Sequence, residues 1–286
     1  MAFNLRPHQY QIGDVVFGAN TSYPVLGVAV QTYNVNNQDF QLARSNETRM
    51  GIDTDQAGPV TFTIGVIDNA PMSYIPNTLP SDLVAKSSQL LTALQREWKA
   101  DDVKQAWGQL KPITFCNGYG STRRIYGRPR KFQYSSKTPK SQFYKVSAEY
   151  ARIDTYAYDD TETVAALTST PTNYSRLYGD ANAWFRLLLT GPQTNPEVTI
   201  GDELVIQLQT VIDAGVTVEV NGYPWSRRII DSNGGNRRST MVGNTKYLDQ
   251  LLLPPATSLP MSWTATGTTG ASKCLVAWRD AYNTLF

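Results

Sequence analysis

Alternation of apolar and polar positions is longest between Phe143 and Tyr158. Tyr144, Val146, Ala148, Tyr150, Arg152, Asp154, Tyr156 and Tyr158 share one parity, and Phe143, Lys145, Ser147, Glu149, Ala151, Ile153 and Thr155 the other. Side chains alternate across a strand, so this segment predicts one long strand. A strand of that length must bend, pair with a second sheet or cross a subunit boundary. Pro59–Asp68 alternates too, with Val60, Phe62, Ile64 and Val66 on one face and Thr61 and Thr63 on the other. Val25–Tyr33 predicts a first strand system, and Asn34–Gly58 a polar hairpin or loop. A helix is expected from Pro80-Ser81-Asp82, where Ser81 or Asp82 can cap free N–H groups, to Trp98. Leu83, Ser87, Leu90, Leu91, Leu94 and Trp98 form its apolar stripe, which predicts packing on a sheet. Trp107–Phe115 and Arg123–Tyr134 return to strand. Strands around one helix, without βαβ alternation, make an α+β pattern.

The second half is a run of short strands. Asn182–Leu189 opens it, followed by Val198–Ile200, Leu204–Gln209, Val216–Val220, Arg228–Ile230, Leu251–Leu253 and Cys274–Arg279. Gly201-Asp202, Asn221-Gly222 and Asn233-Gly234-Gly235-Asn236 supply turns between them. Pro254-Pro255 stops the Leu251–Leu253 run. Short strands at this spacing predict a β-sandwich or barrel. The Thr-, Ser- and Ala-rich stretch from Asp159 to about Ser175 is expected to connect two domains, residues 1–170 and 171–286. The fold class is thus mainly β, with an α+β N-terminal domain that carries one flanking helix.

Composition narrows the function. The 286 residues, 41% hydrophobic and 11% aromatic, suffice for one large or two ordinary cores. A net charge of +2 gives no global argument for nucleic acid or a membrane. Met1–Arg6 lacks the apolar stretch of a signal peptide, and no window approaches the roughly 18 apolar residues of a spanning helix. Synthesis in a cytoplasm is expected. Cys116 and Cys274 sit in strand contexts and are expected to be buried thiols. A disulfide between them would need a short Cα–Cα distance.

A catalytic constellation is not found. His8 is the one histidine, so a zinc site or a Ser-His-Asp triad has little to work with. Gly118-Tyr119-Gly120-Ser121 reads as a hairpin loop. Asp101-Asp102, Asp159-Asp160 and Asp202-Glu203 are the carboxylate pairs a β-sandwich glycosidase could use. Each lies at a predicted helix end, connection or turn, where solvated acids are expected. No catalytic residue, cofactor or metal site is assigned. The segment Arg123, Arg124, Arg128, Arg130, Lys131, Lys137, Lys140, interleaved with Tyr126, Phe132 and Tyr134, admits three readings. It is a solvated strand pair, a subunit interface facing acids such as Asp154, Asp159 or Asp160 of a neighbour, or a single-strand nucleic-acid surface. Arg227-Arg228 and Arg237-Arg238 read as exposed turn charges. Trp184 and Trp278 are expected in the core, while Trp225 and Trp263 are the tryptophans a sugar could stack on.

Thr199–Asp202, Ala214–Gly222, Gly234…Tyr247…Leu251–Pro254 and Cys274–Tyr282 resemble, in order and spacing, the C-terminal domain of siphophage distal tail proteins. Val15–Gly18, Pro59–Val66, the helix to Trp98, Tyr126–Phe132 and Val146–Asp154 extend the resemblance to actinophage-type members of that Dit-like minor tail protein family. It covers most of the chain and is least clear over residues 20–58. The resemblance implies a tail-tube-like β-sandwich followed by a galectin-like β-sandwich. It implies a non-enzymatic virion protein at the tail tip, without membrane insertion. It also implies a homohexameric ring between the tail-tube protein and the hub or receptor-binding proteins of the tip, with a channel through which DNA passes. Arg123, Arg124, Arg128, Arg130, Tyr150, Arg152 and Asp154 are the candidate subunit interface, and a lumen that is not strongly basic is expected. A carbohydrate-binding or hydrolytic sandwich, or another tail protein such as a tail-tube subunit, is the alternative.

Overall fold

The structure is a computed structural model that describes residues 4–31, 33–37, 39–41, 48–67, 80–136, 143–176, 178–242, 247–255 and 258–285. Lys137, Lys140, Asp68 and part of the 34–58 stretch lie outside the described residues, as do the side chains of Ser81, Asp82 and Leu83. The chain divides into two compact units, Met1–Ala157 with Leu285–Phe286, and Tyr158–Thr284.

Unit 1 runs β1 (Gln9–Ile12), β2 (Val15–Gly18), β3 (Val25–Val30), β4 (Tyr33–Asn36), β5 (Phe40–Gln41), β6 (Thr48–Arg49), β7 (Thr54–Ala57) and β8 (Val60–Val66). Helices α1 (Pro80–Lys99) and α2 (Asp101–Lys104) follow, then β9 (Ile113–Cys116), β10 (Thr122–Ile125), β11 (Gly127–Ser136) and β12 (Tyr144–Arg152). One antiparallel sheet has the order β2-β1-β9-β10, and a second the order β11-β12-β8-β3. Alternation decides what is buried. Val60, Phe62, Ile64 and Val66 have no exposed surface, and with Val146, Ala148 and Tyr150 they join Tyr10, Ile12 and Phe17 of the other sheet in one core. The stripe of α1 closes it through Leu91, Leu94 and Trp98. The Trp98 ring meets Phe17 at 6.3 Å and Phe62 at 6.0 Å, and its indole N–H donates to the Glu149 carbonyl at 3.0 Å. Leu285 also belongs to this core.

Two expectations change here. Residues 107–112 are not strand: a left-handed Ala100 (φ 50°) breaks α1, α2 follows, and Gly108 (φ 73°) turns the chain before β9. The long alternating segment ends as a strand at Arg152 and bends over Ile153–Thr155. Arg152 turns into the unit, and Asp154 Oδ1 accepts from the Tyr156 N–H at 3.2 Å, an Asx-type turn that stops the ladder.

Unit 2 contains β13 (Ala157–Asp159, beginning at the division), β14 (Thr163–Ala166), β15 (Thr172–Tyr174), β16 (Ala183–Thr190), β17 (Gln193–Ile200), β18 (Leu204–Gln207) and β19 (Val211–Ile212). It continues through β20 (Thr217–Asn221), β21 (Arg228–Asp231), β22 (Leu252–Leu253), β23 (Leu259–Thr266), β24 (Lys273–Trp278) and β25 (Ala281–Tyr282). One sheet is ordered β14-β24-β16-β20-β21, the other β15-β23-β17-β18. Phe185, Leu187, Leu189, Val218, Val220 and Val276 are buried along the first, and Val198, Ile200, Ile206 and Met261 along the second. Two half-buried sheets of this kind pack as a sandwich. The Thr-rich stretch expected as a connection instead supplies β14 and β15, one edge strand to each sheet.

Candidate assembly surface

The β11-β12-β8-β3 sheet has two open edges among the described residues, β11 on one side and β3 on the other. On β11 the register slips: Pro129 faces Tyr150 and Lys131 faces Glu149, so Arg130 is the extra residue of a bulge and stands exposed. Proline has no N–H to give and is tolerated at an edge or bulge. Beyond it Lys131, Gln133, Tyr134 and Ser135 are exposed along the ten-residue strand. At the other edge, Leu26 of β3 is 54% exposed. Long open edges are templates for pairing with another chain.

The face of this sheet turned away from the core is polar. Its rows read Lys131–Glu149–Thr61, Gln133–Ser147–Thr63 and Ser135–Lys145–Gly65 across β11, β12 and β8. With Arg128 opposite Ala151 in the next row, two lysines and one arginine stand against one glutamate, among hydroxyls and an amide.

The seven predicted interface residues separate into two groups. Tyr150 has no exposed surface; its hydroxyl lies 2.8 Å from the Lys111 carbonyl and 3.3 Å from that of Ile125. Arg152 is buried and donates through Nε to Gly58 O at 2.9 Å, through Nη1 to Thr155 O at 3.0 Å and through Nη2 to Gln31 O at 2.8 Å. Side chains placed in this way work inside the unit and offer no area to a neighbour. Arg128 is spent likewise, donating to Ala106 O at 2.6 Å and Gln109 O at 2.5 Å. Arg123 and Arg124 are half-buried on β10, Asp154 is half-buried in its turn, and Arg130 projects outward.

Two further features bear on assembly, the first in the stretch expected to be a polar hairpin or loop. The described residues between 33 and 57 make a hairpin arm: β4 pairs with β7, Tyr33 against Ala57 to Asn36 against Thr54, and β5 pairs with β6. Val35 is 50%, Ile52 76% and Met50 79% exposed on it. Arg152 binds carbonyls at both feet of this arm, Gln31 and Gly58. The second feature is Trp107, which is wholly exposed. Gly108 directly after it was the one available signal of a turn.

No protein-family model matches this chain, and no curated protein matches it in sequence. Solved structures do match. The crystal structure of SPP1 Dit, a paradigm of the hub adsorption apparatus in phages infecting Gram-positive hosts, aligns over 96% of this chain and 98% of that chain, with TM-score 0.64 and 12% identity. The fold is Dit-like. A chain of the phage P2 baseplate in its activated conformation with Ca aligns over 97% of this chain and 99% of its own, with TM-score 0.55 and 11% identity. The corresponding Sr form gives 94%, 97%, 0.52 and 11%.

Most of the remaining chemical candidates have structural partners. Asp101 pairs with Lys99 at 2.6 Å, whose hydrogen bond holds its carboxyl below the usual range, and Asp102 lies 3.3 Å from Lys111. The Asp159 and Asp160 carbonyls accept from Arg279. Asp202 and Glu203 sit exposed at the β17–β18 turn, beside a cleft of about 660 Å³. Trp225 is half-buried, stacked on Tyr223 at 4.9 Å and edge-on to Tyr158 at 5.5 Å. The Trp263 indole donates to Gln193 at 2.9 Å. Trp278 is core, whereas Trp184, expected there, lies half-buried on the outer parity of β16 under the Arg227 guanidinium at 4.8 Å. Exposed Arg228 pairs with Glu219 at 3.2 Å, and half-buried Arg237 pairs with Asp231 at 2.8 Å. Cys116 and Cys274 are free and buried, and burial pushes both thiols up. Among the described residues, no three His, Cys, Asp or Glu side chains group to hold a metal, and no helix is long and apolar enough to cross a membrane.

Proposed function

We propose that this chain is a non-enzymatic structural protein of a phage tail tip. In this reading it forms a hexameric ring that joins the tail tube to the tip or baseplate. The observation that carries the proposal is the alignment of nearly the whole chain, both units in order, with nearly the whole of SPP1 Dit. The sheet edges support it. β11 and β3 run antiparallel, so β11 of one copy continues the ladder on β3 of the next. That contact joins two different surfaces, the heterologous kind that closes rings. Arg130 and, at the margin, Arg123 and Arg124 remain candidates for it.

The polar rows then face the axis and line a channel for DNA. A conduit cannot hold phosphates tightly, since each neutralised phosphate adds to retention; rows whose few cations are offset by a glutamate and spaced by hydroxyls and an amide suit passage. Unit 2 docks other tip or receptor-binding proteins. The test is the mass of the purified protein in solution, with negative-stain imaging. A sixfold ring with a central hole is expected; a monomer at every concentration overturns the proposal.

A further inference from the structure

We propose that Trp107 is the anchor by which one copy of this chain grips the hairpin arm of the next, an inference that rests on the ring reading. Trp107 is the most exposed large apolar side chain described, at 101% of its reference area. Its loop is not slack: Arg128 donates to the carbonyl before it, Ala106, and to one just after it, Gln109. An indole displayed on a loop already held in place binds with less ordering cost, and tryptophan is enriched among residues that dominate interfaces.

Strand register says what it meets. One row crosses the sheet from Pro129 through Tyr150 and Val60 to Val30. Arg128, which carries the Trp107 loop, stands at one end of that row. Gln31, the foot of the arm, follows Val30 at the other. Within one copy the two edges are three strand spacings apart, about 14 Å. Continuing the sheet from β11 onto β3 of a neighbour removes that gap and sets Trp107 against the neighbour's arm. The arm offers Val35, Met50 and Ile52, all exposed, and a two-stranded hairpin is marginal without something to pack on. Methionine adapts readily to an aromatic face. The partner is therefore a second copy of this chain.

The experiment places p-benzoylphenylalanine at position 107 and irradiates the assembled protein. Cross-links between copies that map to residues 33–57 are expected. Trp107→Ala and Ile52→Asp, both at exposed positions, should leave the monomer's melting temperature unchanged and raise the concentration at which rings dissociate at least about tenfold. Rings that form normally in both variants, with cross-links elsewhere, overturn this inference and leave the ring standing. Wild-type protein that never exceeds a monomer overturns the ring and this contact together.

Discussion

Arg176 donates through Nε to Oδ1 of Asp280 at 2.8 Å, with both side chains almost wholly buried in unit 2. The guanidinium also donates to the Leu253 carbonyl and, at 3.1 Å, to that of Ala181. One side chain thus ties together the approach to β16, the end of β22 and the turn after β24. Arg176→Met leaves the Asp280 carboxylate and two carbonyls without their donor. Breaking a buried pair on one side costs about 3–5 kcal/mol. Hydrogen exchange at β16 and β24 should accelerate accordingly; a loss below about 1 kcal/mol contradicts this account.

Tyr150→Phe separates scaffold from interface. The variant keeps the ring but strips the donor from the Lys111 and Ile125 carbonyls. Unit 1 should lose about 1–2 kcal/mol, while oligomer dissociation stays where it was. Urea denaturation and sedimentation together read both quantities.

Arg152→Met should loosen the arm. Its carbonyl partners Gln31 and Gly58 lie at the two feet, so losing the guanidinium frees the hairpin's base. Amide exchange should rise over residues 33–57 by at least about tenfold and by far less in β8. Uniform acceleration across unit 1 would instead mean a general structural loss.

Acid should weaken unit 2 through Glu162. Burial pushes this carboxyl up, but the hydrogen bond and charge of Arg186, helped by the Tyr223 hydroxyl at 3.0 Å, outweigh burial and hold it below its ordinary value of 4.5. A lowered folded value means the ionised group's contribution is complete above 4.5 and fades as pH falls through the folded value. Stability measured from pH 7 to pH 3 should therefore drop more steeply in wild type than in Glu162→Gln. Parallel curves would remove Glu162 from the explanation.

The sandwich and the helix were legible because local periodicity and burial agree. Val60 to Ile64 alternate in sequence and in exposure, and Leu91, Leu94 and Trp98 sit at helical spacing and are buried. The candidate assembly surface was less legible, because it depends on partners far apart in the chain. Arg152 belongs to an apparently continuous strand, but two of its three acceptors are 94 and 121 residues away. Nothing local marks it as a clamp. Alternation likewise placed Tyr150 and Arg152 beside the arginines of β10 and β11, without revealing that the shared face is the core. The arm's three exposed apolar residues are diluted among Asn, Asp and Thr, so composition alone read that stretch as polar.

Leu285 carries a consequence for the timing of synthesis. N-terminal domains usually fold as soon as they clear the ribosome. Here the core of unit 1 includes a residue that is translated after all of unit 2. The core of unit 1 therefore lacks one of its buried side chains until the whole second sandwich has been translated.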